Sequence, residues 1–177
     1  MTQELDKKLV EKYPLIFADR YKDETVTAMC WGVECNDGWY WLIDGLCDHI
    51  QTYIDSNKHL KIPQVVAAQV KEKFGTLRFY YDGGNEYIRG VVSHAEWLSG
   101  MICEVCGTTK NIGTTQGWNQ TLCYDDWLKS NLKIWRNNET RELFEKEDNG
   151  DISISYTYKP ITPLEHIEVN FSEDTNE

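Results

Sequence analysis

The sequence predicts an α+β fold: a small antiparallel sheet with packed helices and a treble-clef-like zinc knuckle. Three observations predict it. In WYWLIDGLCDHIQTYI, residues 39–54, Leu42, Leu46, Ile50 and Ile54 recur at helical spacing, and Trp39, Ile43 and Cys47 widen the stripe. IPQVVAAQVKEKFGTLRFYYDGG, residues 62–84, reads as two strands joined by a tight turn near Phe74-Gly75. CEVCGTTKNIGTTQGWNQTLCYDDW, residues 103–127, has the cysteine spacing of a metal knuckle.

The remaining elements follow in chain order. Leu5, Leu9 and Val10 among charges predict a short amphipathic helix over 3–13 that stops before Pro14. TVTAMCWGVEC, residues 25–35, reads as a strand, and Asp37 as the cap of a helix beginning near Gly38. In the hairpin, Val66, Ala68 and Val70 are expected on one face of the first strand, and Leu77, Phe79 and Tyr81 on one face of the second. Gly83-Gly84 ends that unit. Tyr87, Ile88, Val91, Val92, Ala95 and Leu98 predict a helix over 85–101. A further helix is expected over 124–136. Asn149-Gly150 signals a hairpin turn, and DISISYTYKP alternates as a strand. The expected organisation is an α+β body over 1–100, a knuckle segment with its outgoing helix over 101–136, and a C-terminal β extension with an acidic tail over 137–177.

The chain has 177 residues, 41% of them hydrophobic and 12% aromatic, enough for a packed core. No apolar run reaches membrane-spanning length. The first fourteen residues carry charges where a secretory leader needs an apolar stretch, so an intracellular setting is expected. The formal net charge is −11. That argues against direct nucleic-acid binding, which needs a cationic surface. It favours a protein partner with a basic surface, or a local basic pocket in an acidic body. Six cysteines in such a setting read as thiols and metal ligands; Cys30, Cys35 and Cys47 lack tight spacing and read as buried thiols.

Cys103-Glu-Val-Cys106-Gly107 has the shape of a zinc knuckle, whose turn aims two sulfurs at one ion. Cys123 follows at the start of a helix, and Asp126 stands in the partner position. A carboxylate binds zinc, though less commonly in structural sites. Asp125, His94 and a water compete for the fourth position. Between the halves a short hairpin would carry Trp118. A structural ion is expected rather than a catalytic one, because no His-Glu pair accompanies the cysteines. His49, His94 and His166 each stand alone in the sequence and read as surface or packed residues.

The second concentration of chemistry is the hairpin itself. Lys71, Lys73, Arg78 and Tyr80 would share its outer face, where cations and an aromatic ring can hold a phosphate and stack a base. The competing reading is a solvated strand face with ion pairs to acidic neighbours.

The strings QVKEKFGTLRFYYDGG, AEWLSGMICEVCG and GWNQTLCYDDW, with DGWYWLIDGLCDHIQ before them, resemble a group of small proteins encoded by bacteriophages and prophages. The resemblance covers roughly residues 37–127. In that group the last metal position is usually Cys or His, so Asp126 is a departure. The resemblance implies a phage accessory protein acting in the cytoplasm of an infected bacterium, and implies no activity. Three functions are expected from these readings together. The first is a non-enzymatic protein that binds and inhibits a host protein, with proteins of defence or nucleic-acid processing as the candidates. The second is a binder that sequesters a small nucleotide, as a homo-oligomer. The third is a metal-dependent nuclease built on the finger.

Overall fold

The computed structural model describes residues 1–156. They form four α-helices and two sheets, an α+β architecture. Helix α1 spans Gln3–Lys12, as the apolar spacing predicts. Its Asp6 is buried. One oxygen of that carboxylate takes the Arg20 guanidinium at 2.8 Å, and the other accepts the Val33 amide at 2.9 Å. This ties the first helix to the strand that follows.

Residues 25–35 depart from the expected strand. Ala28–Trp31 form one 3-10 turn, with Thr27 capping it through the Met29 amide, and only Val33–Glu34 form strand β1. The cause is local: the Thr27 hydroxyl offers the backbone a turn, and Gly32 at φ 82° reverses the chain. Asp37 also does not cap the next helix. Its carboxylate accepts the Thr2 amide, and a 3-10 turn over Asp37–Trp39 leads into α2, Tyr40–Ser56.

Strands β2, Val66–Lys73, and β3, Thr76–Asp82, form the predicted hairpin, with β1 parallel to β2 on its other side. Phe74 and Gly75 both have positive φ, 57° and 81°, as a two-residue turn of this hand requires. The expected face of β2 is corrected. The register slips between Ala67 and Gln69, and this bulge puts Val65, Ala67 and Val70 in the core in place of Val66 and Ala68. Helix α3, Glu86–Ser99, is capped by Asn85 through the Ile88 amide and lies along β3. It also covers that strand's open edge. Ser99 Oγ accepts the Leu77 amide at 2.8 Å, and Glu96 accepts the Phe79 amide at 2.9 Å. Two edge donors that could recruit another strand are thereby occupied.

The second sheet has the order β5-β4-β6-β7-β8 and is antiparallel throughout. Its strands are β4 Ile112–Thr115, β5 Thr121–Cys123, β6 Ile134–Asn137, β7 Glu142–Lys146 and β8 Ile152–Tyr156. The helix expected over 124–136 is short: α4 covers Tyr124–Lys129 only. Ser130 stops it, and Lys146 donates to the Trp127 and Ser130 carbonyls at its end. The chain then returns as β6, so this sheet runs through position 137. The predicted turn at Asn149-Gly150 joins β7 and β8. Expectations for residues 157–177, the acidic tail and His166 among them, lie outside the described residues.

Two apolar clusters result. The larger gathers α1, α2, α3 and the first sheet around Trp39, Ile43, Ile50, Val70 and Leu77. The smaller gathers Cys103, Leu122, Trp127 and Trp135, with the Trp127 and Trp135 rings stacked at 5.8 Å.

Candidate metal centre and helix groove

The knuckle is built by backbone first. Cys103 N–H donates to the Thr108 carbonyl at 2.8 Å, and Gly107 N–H to the Cys103 carbonyl at 2.9 Å. Gly107, at φ 77°, closes the turn. The β4–β5 hairpin then delivers Cys123 to the first residue before α4, and the first turn of α4 delivers Asp126. Sγ of Cys103, Cys106 and Cys123 and a carboxylate oxygen of Asp126 all lie within 4.8 Å of one another, and this group can hold a metal ion. Asp126 Oδ2 stands 3.3 Å from both the Cys103 and Cys123 sulfurs, and Cys106 Sγ stands 3.7 Å from Cys123 Sγ. The other carboxylate oxygen takes Lys129 Nζ at 3.2 Å, so one oxygen is left for an ion. Asp125 is exposed and outside the cluster; His94 stacks on Trp97.

The electrostatics fit a cation. Desolvation pushes the Cys106 thiol up to about 12, with Asp126 adding to the effect. Hydrogen bonds from the thiols, that of Cys106 first, hold the Asp126 carboxyl down to about 2. Three thiols are thus packed around a carboxylate that accepts from Cys103 and Cys123, while Cys106 contacts Cys123. A divalent ion at their centre would replace the three protons, since thiolates are the binding form.

The knuckle is clamped to the body. Gly38 N–H donates to the Glu104 carbonyl at 2.8 Å, and Trp39 Nε1 to the Ile102 carbonyl at 2.9 Å. The Glu104 side chain, 2% exposed, accepts from the backbone and side chain of Asn36, each at 3.0 Å. Among the described residues its second oxygen has no partner, and burial raises its carboxyl above the usual range. On the other side, Glu104 N–H reaches the Thr121 carbonyl, and Thr121 Oγ1 donates to the Gly75 carbonyl at 2.6 Å. The centre therefore sits where the two sheets meet. Trp118, carried by the β4–β5 hairpin as expected, is 66% exposed at its tip.

Lys71 and Arg78 stand opposite each other in the hairpin register, with Lys71 Nζ 5.8 Å from the Tyr80 ring centre. Lys73 lies over the Phe74 ring at 5.3 Å. Arg78 Nη1 is turned onto Thr76 Oγ1 and the Leu77 carbonyl. Among the described residues, none of the three cations makes an ion pair with a carboxylate.

Sequence reasoning missed a groove between α2 and α3. Trp41, 77% exposed, and Trp97, 57% exposed, stand beside it, and His49 and His94 line it. Its two hollows measure about 260 and 530 Å³. His49 Nε2 is 2.8 Å from the Tyr87 hydroxyl, and His94 stacks on Trp97 at 5.5 Å. Gly45 in α2 and Gly90 in α3 line the hollows, and a Cβ on either would meet nothing within 4 Å. A mid-helix glycine costs about 1 kcal/mol relative to alanine, so neither is explained by packing. Two glycines inside otherwise helical stripes were the available signal.

Compared with protein-family models, with curated proteins and with solved structures, the chain matches none.

Proposed function

We propose that this chain is a non-enzymatic accessory protein that binds and inhibits a protein of a phage-infected bacterial cell. The observation that carries this reading is the α2–α3 groove. Exposed aromatic side chains around an apolar hollow are the residues that dominate protein interfaces. The occupant we assign is an amphipathic helix with a basic flank. A groove between two helices suits a helix, exposed Glu86 lines one hollow, and the whole chain carries −11. The metal centre supports the fold, with zinc as its ion: three thiolates and a carboxylate in a closed cluster suit a four-coordinate structural site.

The test is affinity capture from host lysate followed by measurement with the purified partner. Trp41→Ala and Trp97→Ala should each weaken binding by about tenfold or more. Lys71→Ala should leave it unchanged. A stoichiometric partner that is indifferent to both tryptophans would sink the reading.

A second reading, sequestration of a small nucleotide, has its own support. Lys71, Lys73 and Arg78 share a face, without carboxylate partners among the described residues, beside Tyr80, in an otherwise acidic chain. A phosphate would meet the cations, and a base could stack on Tyr80. Thermal shift against a nucleotide panel should then show stabilisation that is lost in Arg78→Ala. No shift with any nucleotide removes it.

A further inference from the structure

We propose that Cys106 and Cys123 form a reversible oxidation site that ejects the bound metal ion. The inference rests on the metal reading above and goes beyond it. Cys106 is the exposed member of the cluster, whereas Cys103 and Cys123 are buried. Its sulfur already lies 3.7 Å from Cys123 Sγ. A disulfide needs about 2.05 Å, so side-chain rotation has little distance to close. Cys103 and Cys123 each stand 3.3 Å from Asp126 Oδ2, and Cys123 also makes the sulfur contact to the exposed Cys106.

The oxidant class is a peroxide. The Cys106 thiolate attacks one peroxide oxygen, the O–O bond breaks, and hydroxide leaves with the electron pair, giving a sulfenic acid. The Cys123 thiolate then attacks the Cys106 sulfur and displaces a second hydroxide. Two thiolates lose two electrons, and the peroxide gains them. A dithiol reverses the step by exchange.

Asp126 gives this step its consequence. In a four-cysteine site, the ion would keep two sulfurs after one disulfide forms. Here it keeps only Cys103 and one carboxylate oxygen, a weaker pair for a thiophilic ion. The segment stays docked without the ion, because the bonds of Glu104 to Asn36, Gly38 and Thr121 do not involve it. The new disulfide also ties Cys106 to the start of α4, as the ion did.

The experiment uses the full chain purified under reducing conditions. Metal content is measured first; then one equivalent of hydrogen peroxide is added with a chromophoric zinc chelator present. Peptide mapping locates the disulfide, and circular dichroism follows the fold. The expected result is one zinc released per chain, two thiols lost, a Cys106–Cys123 disulfide and an unchanged spectrum, all reversed by dithiothreitol and zinc. Zinc that stays bound, or leaves without that disulfide, overturns the proposal while the metal reading stands. A reduced protein that holds no zinc and takes up none overturns the metal reading and this proposal with it.

Discussion

Gly38 is the position where the body and the knuckle press hardest on each other, and Gly38→Ala measures that contact. A Cβ there would lie 2.3 Å from the Cys103 carbonyl oxygen, 2.5 Å from Gly107 N and 2.6 Å from the Glu104 carbonyl oxygen, where ordinary contact begins at 3.4 Å. All three atoms are backbone, so no side chain can swing aside. The knuckle must retreat by about 1 Å, enough to lose close hydrogen bonds. The Gly38–Glu104 and Trp39–Ile102 bonds go with it, each contributing about 1 kcal/mol, and the Asn36 contacts to the Glu104 carboxylate contribute about 1.5–3 kcal/mol. Reduced freedom of the unfolded chain returns about 0.5–1 kcal/mol. The net loss is about 2.5–4.5 kcal/mol, and for a chain of this size the melting temperature should fall by about 5–18 °C. Thermal melts by circular dichroism read this directly, with zinc content measured alongside. A variant that melts within about 2 °C of the parent would refute the claim that the knuckle is pressed against the start of α2.

The other predictions probe the centre, the hairpin and the groove. Cys103→Ser should abolish zinc uptake and lower the melting temperature, because structural metal binding contributes folding energy directly. A chelator should reproduce the loss in the parent and leave the variant unmoved; equal melting with and without metal would refute it. Phe74 is 70% exposed at φ 57°, so Phe74→Asn should stabilise the hairpin by about 0.5–1 kcal/mol in a denaturant titration, since Asn tolerates that conformation. A loss of stability would mean that the ring packs. Gly45→Ala with Gly90→Ala should raise stability by about 1–2 kcal/mol in the same titration while weakening partner binding. A stabilised double variant that binds as before would separate the glycines from the groove's function.

Much of this fold was legible because it follows from local rules. The stripe Ile43, Leu46, Cys47, Ile50 can bury one side only as a helix, and α2 does so. Phe74-Gly75 and Asn149-Gly150 marked their turns through the conformations that hairpins require. The misreadings were non-local. The bulge at Ala67–Gln69 leaves no mark in the apolar run over 65–68, where either face reads as core. Residues 130–136 kept an apolar pattern that suits a short helix. Pairing with β4 and β7, and the packing of Trp135 under Trp127, draw them into a sheet instead.

The site divided in the same way. Spacing alone put three cysteines and Asp126 in reach of one ion, since a knuckle and a helix start are local devices. Spacing could not show that Glu104, between two ligands, is the clamp; that needs Asn36 and Gly38, distant in sequence and brought up by α2. The groove was hidden for a different reason. Trp41, His49, Tyr87, His94 and Trp97 are unremarkable on either helix alone, and only the α2–α3 pairing makes them one surface. Gly45 and Gly90 line that surface without a side chain. A helix that needed stability alone would carry alanine at 45 and 90, because both positions have room for it. Forgoing that stability leaves space between exposed tryptophans, which is the arrangement expected where another molecule is to be seated.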